Sequence, residues 1–481
     1  MRLLRFDRSG VVVTGKILFD EESLFDFFHR FTSATPAERG RDSTVTAANL
    51  SCQTEEIRRL LNCDEKAPLL TISIDHKEYI ILKDQDPGST SPIGRSTRCF
   101  KAYCLETKRL VLLKDSWRVV SPNLQPEHEI YEKLHKAKVQ NIPAVYHGSD
   151  IANENDVHHT TQTKLWYEKA DQTIKRTFRT HRHYRIVLEY LPFKLEEFEI
   201  TREMIAVVRD ASIAHRDAAI EAKVAHRDIS NGNIMFKRKP DGNVQGYLID
   251  WDLSLNLELA DENSVEAQPE RTGTWQFLAI RLFDTTNKEP VIQNRIDDVE
   301  SFYHLILWMA LRYTDHTLDS LKLTTQLHDN FDASYWDSDG RPLIGNARKP
   351  NIKSGDLIAE AKFGHDGIKT TLQRMHYASE HGEHTAEENE RKEAEVKKAS
   401  GLKTLDDPQW LSDLLTSCLQ DEELDWDTNS ARVKHALAKF SKFVSIQGKR
   451  KTESIMHSEG PRKASRKSGQ STPQDNRSGL S

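Results

Sequence analysis

Apolar residues from Leu3 to Phe6, a turn at Asp7-Arg8-Ser9-Gly10 and the run Val11-Val12-Val13 predict a β-hairpin at the start of the chain. Leu24, Phe27, Phe28 and Phe31 then fall at the i, i+3, i+4, i+7 spacing of one face of an amphipathic helix. A polar loop covers about 33–46. Leu69–Ile74 and Glu78–Leu82, joined at Asp75-His76-Lys77, predict a second hairpin, and strands again dominate about 97–114 and 184–191. After about residue 200 the period becomes helical, with long stripes at 202–223 and 297–313. A β-rich half followed by an α-rich half predicts an α+β fold of two lobes with a cleft between them. Residues 379–400 are almost wholly polar and read as a surface insertion. No internal repeat interrupts this order.

Composition sharpens the picture. Of 481 residues only 37% are apolar and 30% are charged, so part of the chain is expected to lie outside any core. Five cysteines (Cys52, Cys63, Cys99, Cys104, Cys418) form no CxxC pair, which excludes a zinc ribbon or a disulfide framework. Charges at Arg2, Arg5 and Asp7 interrupt any secretory signal. The longest apolar stretch, Phe302 to Leu311, contains His304 and is too short to span a bilayer. These features predict an intracellular protein, cytoplasmic or nuclear, with no membrane partner.

The net charge of −6 combines two unlike parts. From Gln447 onward there are eight Lys or Arg against three acids, giving +5 for the tail and −11 for the rest. The tail, 447–481, is also poor in apolar residues and is expected to be disordered. Lys449-Arg450-Lys451 and Arg462-Lys463-Ala464-Ser465-Arg466-Lys467 are similar to a two-part nuclear import signal, which implies an import receptor as a partner. A solubilising basic tail is the plainer alternative. The absence of aromatic residues there argues against nucleic acid. His158-His159 and the group His376, His381 and His384 lack ligand spacing, so no metal site is expected on them.

The chemistry concentrates in His226-Arg227-Asp228-Ile229-Ser230-Asn231-Gly232-Asn233 and in Tyr247-Leu248-Ile249-Asp250-Trp251-Asp252. Phosphoryl transfer needs a carboxylate to accept a hydroxyl proton, oxygen ligands for Mg²⁺, and cations near the phosphates. Asp228 fits the base, while Asn233 and Asp250 fit the metal oxygens. A turn at Pro240-Asp241-Gly242 would bring the two segments together. A second His-Arg-Asp, at His215-Arg216-Asp217, lies inside the helical stripe and has Ala222 where Asn is needed. His215 is therefore expected to pack or cap.

The stretch from His226 to Asp252 resembles the catalytic and metal loops of the eukaryotic protein kinase fold. Gly273-Thr274-Trp275-Gln276-Phe277-Leu278-Ala279 resembles its substrate-docking segment. Asp297-Asp298-Val299-Glu300-Ser301-Phe302 opens an apolar helix like its buried central helix, in which Asp298 is implied to hold the catalytic loop. With Leu4-Arg5-Phe6-Asp7-Arg8-Ser9-Gly10 and Leu113-Lys114-Asp115-Ser116-Trp117, the wording is similar to the fungal-type protein kinase family, over about 1–320 and faintly over 405–445.

This resemblance implies ATP and Mg²⁺ as cofactors, a protein substrate, and transfer to a hydroxyl, Ser/Thr being favoured. Lys114 would reach the phosphates and Glu127 would hold it, with Glu129 and Glu132 as alternatives on the same helix. The strand Ile186–Leu191 would lead into an interlobe hinge whose backbone around Glu189–Leu191 binds adenine. Gly94 is the single glycine of a phosphate-covering loop that usually has three. Thr274 is implied as a structural partner of Asp228. Arg227 implies an anion from the segment Leu255–Glu270: a carboxylate, or a phosphorylated Ser264 or Thr272. That segment could equally be a solvated acidic loop.

Three positions depart from the pattern. Asp252 replaces the metal-loop glycine. Ser230 replaces a lysine, leaving the γ-phosphate to Mg²⁺, Lys114 and Arg95. Ile280-Arg281 replaces Pro-Glu. The expected organisation is an extension at 1–90 packed on the small lobe, an N-lobe at 91–192, a C-lobe at 193–446 with a polar insertion at about 320–404, and the tail. Rival readings are a small-molecule (aminoglycoside/choline-type) phosphotransferase and a pseudokinase scaffold.

Overall fold

The computed structural model describes residues 1–19, 22–49, 54–86, 91–121, 124–153, 156–169, 178–258, 273–283, 293–336, 342–344, 354–381, 407–424, 426 and 431–438. The basic tail with its import-like clusters, the acidic residues 261–270, Ser264, Thr272, His384 and the polar stretch 382–406 lie outside the described residues. The protein is mixed α+β, with its β-structure concentrated in the N-terminal part.

The first hairpin pairs β1 (Leu4–Asp7) with β2 (Gly10–Val13), Leu4 facing Val13 and Asp7 facing Gly10. Helix α1 (Glu22–Ser33) follows, as its spacing predicts. Only Leu24 of the apolar stripe is buried. Phe27, Phe28 and Phe31 stay 37%, 45% and 48% exposed, and Phe27 packs on the other two rings at 5.5 and 5.8 Å. The periodicity gave the helix but not a partner for its face.

Next come β3 (Val45–Ala47), α2 (Thr54–Leu61), β4 (Leu69–Ile74), β5 (Lys77–Leu82), β6 (Arg98–Cys104), β7 (Arg109–Val119), α3 (Glu127–Lys136), β8 (Val145–Asp150), α4 (Thr163–Lys169) and β9 (His181–Glu189). The seven strands form one antiparallel sheet in the order β3-β4-β5-β6-β7-β9-β8. Period-two alternation sorts their side chains to opposite faces. Val187 joins Val111, Leu113, Phe100 and Ile81 in one cluster. Its neighbours Ile186 and Leu188 join Ile130, Tyr131 and Leu134 of α3 in another. The boundary expected at residue 90 thus falls within a single sheet, because β5 pairs with β6 through Tyr79 to Cys104.

A buried charge network ties the loop before β3 to this sheet. Arg185 of β9, fully buried, donates to Asp115 at 2.7 Å and to Thr44 Oγ1 at 2.6 Å, and pairs with Asp42. His183 donates from Nε2 to the other Asp115 oxygen at 3.1 Å. Burial disfavours the Asp115 carboxylate, but His183 and Arg185 outweigh it and hold its pKa well below the usual range.

The remainder is mostly helical. It contains β10 (Phe193–Lys194), α5 (Thr201–Glu221), β11 (Val224–Ala225), β12 (Ile234–Arg238), β13 (Val244–Leu248), β14 (Leu255–Asn256), α6 (Arg295–Tyr313) and α7 (Ser320–Leu327). A short hairpin, Ser334–Trp336 with Pro342–Ile344, and helices Asp356–Ala361, Asp366–His381 and Trp410–Gln420 complete it. Strands β12 and β13 form the hairpin expected around Pro240-Asp241-Gly242. Gly246 lets β13 lie against α5, since a Cβ there would sit 2.2 Å from the Val207 carbonyl oxygen. Helix α6 is apolar on nearly every side and lies in the core, as such a pattern requires. Leu323, Leu327, Phe331, Leu357, Ile358, Leu372 and Met375 join that core, so the range 320–404 is not polar throughout.

The chain separates into Met1–His435, which holds every element above, and Ala436–Ser481, of which residues 436–438 are described. Among the described residues, no helix is long and apolar enough to cross a membrane.

Candidate active site

The loop between β11 and β12 carries Asp228, and its shape is fixed from several sides. Arg227 takes a left-handed conformation at φ 72°, a strained choice for a long side chain that surrounding bonds must hold. Asp298, in the first turn of α6, supplies that hold. Its Oδ2 accepts the Arg227 amide at 3.1 Å and His215 Nε2 at 3.1 Å, while Gln293 Nε2 donates to its Oδ1 at 3.1 Å and also to the Arg227 carbonyl. Burial opposes ionised Asp298, but the His215 hydrogen bond and charge and the Arg227 amide lower its pKa.

His226 fixes the next residue. Its Nε2–H donates to the Ile249 carbonyl at 3.0 Å, which leaves Nδ1 to accept the Asp228 amide at 3.2 Å. Complete burial lowers its pKa, consistent with this neutral tautomer. The Asp228 carboxylate accepts both the amide and the hydroxyl of Thr274 at 2.8 Å, through the same Oδ1. Gly273, at φ +121°, is needed here: a Cβ would lie 2.8 Å from the Arg227 carbonyl oxygen. Asn233 donates from Nδ2 to the Asp228 carbonyl at 2.8 Å and accepts the Ile249 amide through its own carbonyl, so Asn233 and Asp250 are drawn to adjacent positions.

A second cluster surrounds Lys114, which is 4% exposed. Its Nζ donates to Glu127 at 2.8 Å, Asp250 at 2.7 Å and Asp252 at 3.3 Å. Glu127 is therefore the acid of α3 that meets Lys114, and its other oxygen accepts the Trp251 amide at 3.2 Å. Burial disfavours the ammonium, but Asp250, Asp252 and Glu127 together raise its pKa well above the ordinary value. One lysine is shared among three carboxylates. Burial, with Asp250 and Asp252 adding to it, accordingly pushes Glu127 up to about 7. Asp250 shifts downward, because Lys114 and Arg95 outweigh its burial.

Arg95 pairs with Asp252, so this aspartate bridges Lys114 and Arg95. Asp228, Asp250 and Asp252 alone outnumber the two cations here, Lys114 and Arg95, so the site carries an excess of acid even with Glu127 protonated. Carboxylate oxygens of Glu127, Asp250 and Asp252 all lie within 4.8 Å of one another. Hard oxygen donors of this kind suit Mg²⁺. A cavity of about 820 Å³ opens beside them, lined by Gly94, Arg95, Glu127, Asp228, Asp252 and Thr274 among others.

The remaining expected residues take varied positions. The Gly94 amide is taken up by a hydrogen bond to the Arg8 carbonyl at 2.8 Å. The Glu189 side chain pairs with Lys237 and accepts the Ala144 amide at 3.3 Å, and its own amide donates to the Ala144 carbonyl at 2.9 Å. Leu191 and Ser230 are buried. Arg227 is 3% exposed, and among the described residues its Nε and Nη1 have no hydrogen-bond partner. Arg281, which stands where a glutamate was expected, pairs with Asp297 in the first turn of α6.

Sequence reasoning missed the link from His215 to Asp298 and the Arg95–Asp252 pair, which joins positions 157 apart in sequence. It also missed the contacts of Asp7, Arg8 and Ser9. These residues were visible as a turn and as part of the family wording, but neither signal says what they touch.

A family model described as fungal protein kinase matches residues 1–310. No curated protein matches the chain.

Proposed function

The chain belongs to the fungal protein kinase family, and on that premise we propose that it transfers the γ-phosphate of ATP, with Mg²⁺, to a hydroxyl of a protein substrate, Ser or Thr being favoured. The observation that carries this reading is the meeting of Lys114 with Glu127, Asp250 and Asp252 beside Asp228. In this reading the sheet and α3 form a small lobe, the helical part forms a large lobe, and the nucleotide lies between them with adenine on the backbone of Glu189–Leu191.

Asp228 takes the proton of the acceptor hydroxyl. The acceptor oxygen bonds to the γ-phosphorus as the bond from that phosphorus to the β–γ bridging oxygen breaks, and the electron pair leaves with ADP. Lys114 steadies the phosphates. Asn233, Asp250 and Asp252 would hold the metal ion, which supplies charge neutralisation at the phosphates. Thr274 orients Asp228 for this role, leaving its Oδ2 for the proton. Arg227 awaits an anionic partner from the segment after Glu258.

Asp228→Ala is expected to abolish phosphate transfer from labelled ATP while nucleotide binding survives; equal turnover would remove Asp228 from the role. A second reading, a non-catalytic scaffold, draws on the Gly94 amide, which is already bonded to Arg8. Thermal unfolding separates the two: a scaffold shows no stabilisation by millimolar ATP with Mg²⁺.

A further inference from the structure

A kinase of this pattern has a cation deficit. Ser230 occupies the place of the lysine that would face the transferred phosphoryl group, yet that group carries charge on three oxygens. The phosphate loop supplies a candidate replacement. Arg95 follows Gly94, whose φ of +91° turns the chain. A Cβ at Gly94 would meet nothing within 4 Å, so its glycine answers to backbone conformation rather than crowding. The Arg95 carbonyl accepts the Trp117 amide at 2.8 Å, and its guanidinium reaches Asp252 in the cavity that also contains Asp228.

The loop is braced from outside by the first hairpin. The Arg8 carbonyl accepts the Gly94 amide at 2.8 Å, and the Arg8 guanidinium donates to the Ser91 carbonyl at 3.0 Å. Asp7 anchors that turn: its Oδ2 accepts the amides of Gln162 and Thr163 at 2.7 and 2.9 Å, and its Oδ1 accepts the Thr163 hydroxyl at 2.8 Å. Ser9 adds a bond to Thr161 Oγ1 at 2.6 Å.

We propose that Arg95 is a further catalytic residue that binds the γ-phosphate, exchanging Asp252 for the phosphate oxygens, and that Asp7 is a positioning residue which aims it through the braced loop. The exchange keeps the guanidinium paired with an anion throughout. ADP, which lacks the third phosphate, does not offer that replacement. Arg95 therefore discriminates ATP from ADP. This rests on the phosphotransfer reading above.

Calorimetric titration with the non-hydrolysed analogue AMP-PNP and with ADP, both with Mg²⁺ and without turnover, tests it. Arg95→Met should weaken AMP-PNP roughly tenfold or more while changing ADP less than about threefold, and Arg95→Lys should restore part of the difference. In turnover, Arg95→Met should lower kcat by about 10²-fold. Asp7→Asn should weaken AMP-PNP selectively in the wild-type background and add nothing in the Arg95→Met background, because it acts through the same loop. Equal weakening of both nucleotides by Arg95→Met, or no change in either, would overturn the role of Arg95. Additive losses in the double variant would overturn the role of Asp7. If the unaltered protein binds neither nucleotide, the phosphotransfer reading falls as well.

Discussion

Glu127 is a carboxyl that the fold would rather keep protonated. Its partner Lys114 is divided among three acids, and burial pushes its pKa up to about 7. A folded-state pKa above the unfolded one means that the native state binds the extra proton. Stability from this group is then present at pH 4 and is lost as pH rises toward 7. Without nucleotide or divalent ion, the unfolding free energy of the unaltered protein should fall from pH 5 to pH 8 relative to Glu127→Gln. Denaturant unfolding at four pH values measures that difference. A flat difference would mean that Glu127 is ionised throughout. Magnesium with nucleotide should flatten it too, by supplying the missing positive charge.

The first turn of α6 gathers loops that are distant in sequence. Asn294 caps it, accepting the Ile296 amide at 2.9 Å. Asp297 takes Arg281, Asp298 takes Arg227, His215 and Gln293, and Glu300 takes the Ile280 amide at 2.8 Å. Ile280–Arg281 and the loop that carries Asp228 are thus both held by the N-terminal residues of one helix. His215→Phe keeps a ring against Phe302 but removes the hydrogen bond to Asp298. It should lower kcat about tenfold while far-UV circular dichroism is unchanged. Asp217→Ala, two residues away and paired only with Arg216 among the described bonds, should leave the rate nearly unaltered. A large loss with Asp217→Ala would mean that the second His-Arg-Asp also serves catalysis.

What could be read in advance follows from how each contact is encoded. Hairpins such as Leu69–Leu82 and helices such as α5 and α6 announce themselves by period, because a half-buried strand or helix must alternate. Asp228, Asn233 and Asp250 stand out in the sequence as acids and an amide at a short, recognisable spacing, and the structure bonds Asn233 to the Asp228 carbonyl and Asp250 to Lys114. The pairs Arg95–Asp252, Arg8–Ser91 and Arg185–Asp42 join segments 83 to 157 positions apart, and no local pattern marks them. The stripe on α1 was visible, yet its exposure was not, since period reports a face and says nothing of what meets it.

Across the whole molecule, cohesion of the sheet depends on charge as well as on apolar packing. Arg185 joins residues from the loop before β3 and from β4, β7 and β9 in one buried network. Arg185→Met would remove the main counter-charge of Asp42 and leave Asp115 to His183 alone. That should cost roughly 3–5 kcal/mol, seen as an earlier denaturant midpoint with unchanged slope. A loss below about 1 kcal/mol would show that the two acids find other partners.

The Arg95–Asp252 pair has a practical consequence for ligand design. Where the general protein kinase pattern has glycine, the cavity beside Asp228 is lined by the carboxylate of Asp252. A cavity ligand carrying an amidine would compete with Arg95 for Asp252. Such a compound would gain an ion pair here that kinases with glycine at this position cannot offer, so selectivity would come from charge rather than from shape.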